Sequence, residues 1–75
     1  MYFVYVLRSD RTSRNYVGFS TDLTQRLGQH NEGLTKSTKG RGPWKLIYQE
    51  SFQTRAEAMR RERYLTLFHH LLREK

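Results

Sequence analysis

Tyr2-Phe3-Val4-Tyr5-Val6-Leu7 sets six β-forming residues in succession, apolar at odd and even positions alike. A half-buried strand alternates apolar with polar, so a run without alternation predicts a central strand with both faces covered. In a chain of 75 residues that one strand constrains everything else. A domain of this size buries only about 60% of the surface its unfolded chain exposes, so each large apolar side chain matters. The chain has no cysteine, and neither a disulfide nor a thiolate-bound zinc can staple it. Four Phe, five Tyr and one Trp must carry the core instead, each able to bury on the order of 150–250 Å².

The rest of the chain arranges itself around that strand. Arg8–Arg14 is polar, and Ser9, Asp10, Thr12 and Ser13 are turn residues, so Asn15–Phe19 reads as the return strand of a hairpin. Closure over Asp10–Arg11 would set Tyr5 and Tyr16 roughly opposite each other on one sheet face. Gly18 predicts a close backbone approach or a bulge. Asp22 followed three residues later by Gln25 is a helix-start signal, and Leu23 and Leu27 give the helix an apolar stripe. Arg26 and His30 project from a shared flank beside it. Gly33 predicts the helix end. Gly33–Pro43 holds three glycines, the sole proline and three cations, and reads as a loop. Trp44–Gln49 is a third strand. Thr54-Arg55-Ala56-Glu57 is a capping box opening a helix that runs to Lys75, either whole or bent near Thr66–His70. The expected fold is α+β: a three-stranded antiparallel sheet flanked by helices, in the order β-β-α-β-α, as one domain over residues 1–75.

Fourteen Lys and Arg against seven Asp and Glu leave a formal charge of +7, which points to a polyanionic partner, nucleic acid before an anionic membrane surface. No apolar run approaches the roughly 20 residues that span a bilayer, and no signal peptide opens the chain, so a cytoplasmic location is expected. Lys36, Lys39, Arg41 and Lys45, in or beside the glycine-bearing loop, suit phosphate contacts; a solvated, mobile loop is equally compatible with them.

Glu62 is the most telling single residue. Ala58, Leu65, Phe68 and Leu72 define the apolar face of the last helix, and Glu62 falls inside it. A carboxylate facing a core costs several kcal/mol unless it is paired or metal-bound. Two explanations stand: an ion pair, with Arg26 as the available partner, or a bound cation. Tyr5 and Tyr16 can be packing residues, and His30 can be a ligand, a general acid/base or, most simply, a plain surface histidine. His69 and His70, adjacent on a helix, point about 100° apart and chelate poorly. There is no Ser/His/Asp grouping, no phosphate loop and no glycosidase-type carboxylate pair.

Taken together, these residues resemble the GIY-YIG nuclease family, in particular its small stand-alone bacterial members. Phe3-Val4-Tyr5 stands where Gly-Ile-Tyr belongs, and Tyr16-Val17-Gly18 where Tyr-Ile-Gly belongs. The segment from Phe19 to Asn31, the stretch from Lys39 to Tyr48, and Arg61-Glu62-Arg63-Tyr64-Leu65 are similar to the elements that follow. The resemblance implies metal-dependent hydrolysis of DNA phosphodiesters, in repair or in processing of mobile DNA. It assigns Tyr5 to activating water or to direct attack, with nearby cationic charge favouring the ionised phenol. Arg26 would stabilise the phosphoryl oxygens, Glu62 would hold Mg²⁺ or Mn²⁺, and Tyr16 and His30 would orient the phosphate or nucleophile. The chain departs from the pattern at Phe3, which replaces a glycine, and at Thr66, which stands where the small members carry lysine. The alternative is a nucleic-acid-binding module that keeps the scaffold with little or no turnover.

Overall fold

The computed structural model describes residues 1–35 and 38–73, with side chains as far as Leu67 beyond the loop. Strand β1 (Tyr2–Ser9) is followed by β2 (Asn15–Ser20), α1 (Leu23–Asn31), β3 (Trp44–Phe52) and α2 (Arg55–Arg73). The sheet is antiparallel in the order β2-β1-β3, so the unalternating strand is the central one. Val4, Val6 and Leu7 are at most 1% exposed, as a strand covered on both faces requires. The third strand and the second helix agree with expectation in kind, although β3 continues three residues past Gln49. The last helix is continuous across Thr66–His70.

Strand alternation divides the core in two. Val4 and Val6 point to one side and pack with Ala58 and Leu65 of α2, joined by Tyr2, Val17, Phe19 and Phe52. Tyr5 and Leu7 point to the other, where Trp44, Tyr16, Leu46 and the α1 stripe residues Leu23 and Leu27 meet them. Phe68 and Leu72, expected to extend the α2 face, have side chains outside the described set.

Capping follows the sequence signals. Asp22 accepts a hydrogen bond from the Gln25 amide at 3.0 Å and starts α1. Gly33, at φ 76°, takes the left-handed conformation that ends it, a region where a side chain is disfavoured. At α2 the capping box is reciprocal: the Glu57 amide donates to Thr54 Oγ1 at 3.2 Å, and the Thr54 amide donates to Glu57 Oε1 at 3.3 Å.

Two register details position the site. The hairpin closes one step later than the Asp10–Arg11 expectation: Arg8 faces Asn15, and the Ser9 amide donates to the Arg14 carbonyl at 2.9 Å. Tyr5 therefore stands opposite Gly18, and Tyr16 opposite Leu7. The two tyrosines are diagonal neighbours, still on one face because the shift moves the pairing by a whole two-residue repeat. On the other side, Val6 pairs with Tyr48 and Leu7 with Leu46, which leaves Ile47 as the extra residue of a bulge. The bulge turns Leu46 and Trp44 onto the Tyr5 face. It also sends Lys45 to the opposite face, across from Arg8.

Candidate active site

Gly18 makes room for the two phenols. A Cβ placed there would lie 2.6 Å from the Tyr5 hydroxyl, 2.8 Å from its Cζ and 3.1 Å from Tyr16 Cε2. The predicted close approach is thus a ring lying directly on the backbone. His30, in the last turn of α1 and 1% exposed, fills the space between the rings. Its ring centroid is 4.9 Å from that of Tyr16 and 5.9 Å from that of Tyr5, and Tyr16 also meets Trp44 edge-on at 6.4 Å. His30 is no surface histidine.

Two pairs link the polar atoms at the centre of this cluster. Tyr5 Oη lies 3.0 Å from His30 Nε2, and His30 Nδ1 lies 2.7 Å from Thr38 Oγ1. Arg26, one turn before His30, donates to Gln29 Oε1 at 3.0 Å while its guanidinium remains close enough to act on the Tyr5 phenol.

Burial pushes the Tyr5 hydroxyl above the ordinary 10.0 of a phenol. Hydrogen bonding and charge from Arg26 oppose that rise, while repulsion from Tyr16 and, more weakly, from Glu62 adds to it. The expectation that cationic charge wins and ionises the phenol is therefore reversed: desolvation outweighs the guanidinium. Burial likewise pushes His30 below its ordinary 6.5, reinforced by the positive charge of Arg26. A protonated phenol consequently faces a neutral imidazole at neutral pH.

Glu62 comes from α2, the layer on the opposite face, and is half-buried between Ala58 and Leu65 in the helical stripe. Its charge still reaches the Tyr5 hydroxyl. The Arg26 ion pair that would have explained it is not formed: among the described residues the salt bridge present joins Arg61 to Glu50, at 2.8 Å. A half-buried carboxylate without a cationic side chain fits a hard cation that keeps most of its waters. Among the described residues no three His, Cys, Asp or Glu side chains gather to form a protein cage, and Glu62 is the carboxylate that could hold such a cation. Thr66 supplies no charge, and its hydroxyl donates to the Glu62 carbonyl at 2.8 Å.

The loop after α1 is tied down. The Ser9 hydroxyl donates to the Arg41 carbonyl, Arg11 Nη1 donates to the Gly40 carbonyl at 3.2 Å, and the Asp10 amide donates to the Pro43 carbonyl at 3.0 Å. Asn31 brackets the far end, accepting from the Trp44 amide at 2.6 Å and donating to the Trp44 carbonyl at 3.1 Å. Lys39 and Arg41 ride on this anchored loop with exposed side chains. Lys45 does not join them, since the bulge sets it on the other face, and Lys36 lies outside the described residues. Thr38, Gln29 and Ser9 escaped sequence reasoning. A lone loop threonine gives no signal, whereas Ser9, at a strand end before a turn, is a position where side-chain bonding to the backbone is common.

Residues 1–69 match the GIY-YIG catalytic domain, and the chain belongs to that family, whose members are generally nucleases. Its relatives include UPF0213 proteins. One from Clostridium perfringens is 42% identical over 66 residues, covering 87% of this chain and 70% of that protein. Another, from Halobacterium salinarum, is 47% identical over 64 residues, covering 83% and 80%. The solution NMR structure of a UPF0213 protein from Bacillus halodurans is similar with a TM-score of 0.53 and 35% identity, over 88% of this chain and 71% of that one. Among the described residues no helix is long and apolar enough to cross a membrane.

Proposed function

We propose that the chain is a metal-dependent endonuclease that hydrolyses DNA phosphodiester bonds at the Tyr5–His30 cluster, which substrate reaches past the half-buried Tyr16 and Arg26. The observation that carries the reading is the 3.0 Å contact between the Tyr5 hydroxyl and His30 Nε2, with the Arg26 guanidinium alongside. Binding alone does not call for such a pair.

Tyr5 works as a relay in this reading. As a water oxygen attacks phosphorus, its proton passes to Tyr5 Oη while the Tyr5 proton passes to His30 Nε2, so no free phenolate forms. Arg26 faces the phosphoryl oxygens as negative charge gathers on them. Tyr16, packed against the His30 ring at 4.9 Å, holds the imidazole in line and offers its hydroxyl to the phosphate. The bond to the leaving sugar oxygen breaks, and that oxygen takes a proton from solvent. Glu62 would hold Mg²⁺ or Mn²⁺, which would neutralise charge on the leaving oxygen when bound. Lys39 and Arg41, with Lys36, are the backbone-phosphate contacts; Lys45 with Arg8 extends the basic surface on the other face.

The test uses supercoiled plasmid and branched duplexes with Mg²⁺ or Mn²⁺. Nicking or cutting is expected that EDTA and Glu62→Ala abolish, and that Tyr5→Phe slows by about 100- to 10,000-fold. Activity surviving both EDTA and Glu62→Ala would remove the metal. Tight binding without cleavage of any DNA form would leave a nucleic-acid-binding module.

A further inference from the structure

His30 needs a definite tautomer to take a proton from Tyr5, and the usual means of fixing one is a carboxylate or backbone carbonyl at the second ring nitrogen. Among the described residues neither bonds to the His30 ring. Tyr5 from β1, Tyr16 from β2, Arg26 from its own helix and Thr38 from the loop surround the ring, and no described carboxylate acts on its titration. The group at Nδ1 is the Thr38 hydroxyl, 2.7 Å away and 1% exposed.

A hydroxyl has one hydrogen to give. The Thr35 carbonyl, 3.4 Å from the Thr38 hydroxyl, is an acceptor that can take it, which would leave the oxygen lone pairs for an Nδ1–H donor. Thr38 is itself held from three sides: its amide donates to the Thr35 carbonyl at 3.1 Å, and its carbonyl accepts from Trp44 Nε1 at 3.2 Å and from the Arg41 amide at 3.3 Å.

We propose that Thr38 is a positioning residue for the reaction: by accepting a hydrogen bond from His30 Nδ1–H it keeps Nε2 unprotonated and aimed at the Tyr5 hydroxyl. The base is thus set by the same loop that presents Lys39, the next residue along, to the phosphate backbone. Its functional consequence rests on the nuclease reading, but the tautomer does not. Thr38 touches neither substrate nor reacting atoms and acts only through the imidazole.

Long-range ¹H–¹⁵N NMR correlations on the full 75-residue chain near pH 7.5 read the tautomer directly. Wild type is expected to carry its proton on Nδ1. Thr38→Val should shift it to Nε2 or to a mixture, and Thr38→Ser should restore Nδ1–H. On plasmid DNA with Mn²⁺, Thr38→Val should lower kcat by about 10- to 100-fold with KM little changed, and Thr38→Ser should recover most of the rate. An Nε2-protonated imidazole in wild type overturns the proposal. So does a Thr38→Val protein with unchanged tautomer and rate. If Thr38→Val does not fold, the wild-type and Thr38→Ser spectra still decide. An Nδ1–H imidazole in a protein that cuts no DNA would support the positioning and sink the nuclease.

Discussion

The two faces of the β1–β2–β3 sheet are built from the same strand and do opposite things. On the α2 face, Val4, Val6, Ala58 and Leu65 form a dry contact of aliphatic side chains. On the α1 face, Tyr5, Leu7 and Trp44 share the interior with His30, Thr38 and Ser9, all polar groups at most 1% exposed. Buried polar groups are tolerable only when each is hydrogen-bonded, and here the bonds run from Tyr5 through His30 to Thr38. The difference teaches how so small a chain keeps a reactive cluster. One face holds the sheet by apolar burial, broken only by the half-buried Glu62 in the α2 stripe, and the other holds titratable groups against each other at the cost of dry packing.

The comparison breaks most sharply at Gly18. Alanine there sets a methyl 2.6 Å from the Tyr5 hydroxyl, so the ring must leave His30. Cleavage should fall by about 100-fold, as expected for a misplaced reacting group, and overpacking should cost about 1–3 kcal/mol. Denaturant melts and plasmid nicking read the two effects separately. A Gly18→Ala protein with full activity would show that the close approach plays no part in the chemistry.

Leu65→Ala strikes the other face. Removing a side chain only 8% exposed should cost about 2–5 kcal/mol, a large share of a small domain's stability. The pH dependence of cleavage per folded molecule should stay that of wild type, since Leu65 packs in the core cluster that excludes Tyr5, whatever rate change follows through its neighbour Glu62. A shifted pH–rate profile in this variant would mean that the two faces are not independent.

Acid separates the faces more gently. His30 titrates below its ordinary 6.5 in the folded chain, so between those values the unfolded chain binds more protons. The neutral imidazole's contribution is whole above about 6.5 and drains away as the pH falls through the folded value. Urea midpoints from pH 8 to pH 5 should decline less steeply in His30→Gln than in wild type, and Leu65→Ala should keep the wild-type slope. Equal slopes in His30→Gln and wild type would place the acid sensitivity elsewhere. The smallest effect belongs to Lys39→Ala, which should weaken DNA binding and reduce the logarithmic salt slope by about 0.9 for one lost duplex contact. An unchanged slope would take the loop out of the interface.

The order of elements, the central strand, both helix starts and the end of α1 were legible because each rests on local rules. Unbroken β-formers, a capping pair or a glycine after a helix act within a few residues. Gly18 was legible as a close approach for the same reason. Arg26 and His30 shared a flank as four-residue spacing demands, and Glu62 stood out because charge broke an apolar stripe.

What the chain order alone determined, then, was which residues share a face. Which partners they meet there was decided by tertiary structure. A hairpin closing one step later put Gly18, not Tyr16, beneath the Tyr5 ring, and a single extra residue at Ile47 turned Lys45 away while bringing Trp44 in. Thr38 reached His30 only because the loop folded back under Trp44. Even the direction of the Tyr5 shift was a tertiary matter. Cation against desolvation is a contest of depth and distance, and neither exists until the sheet and α1 close over the phenol.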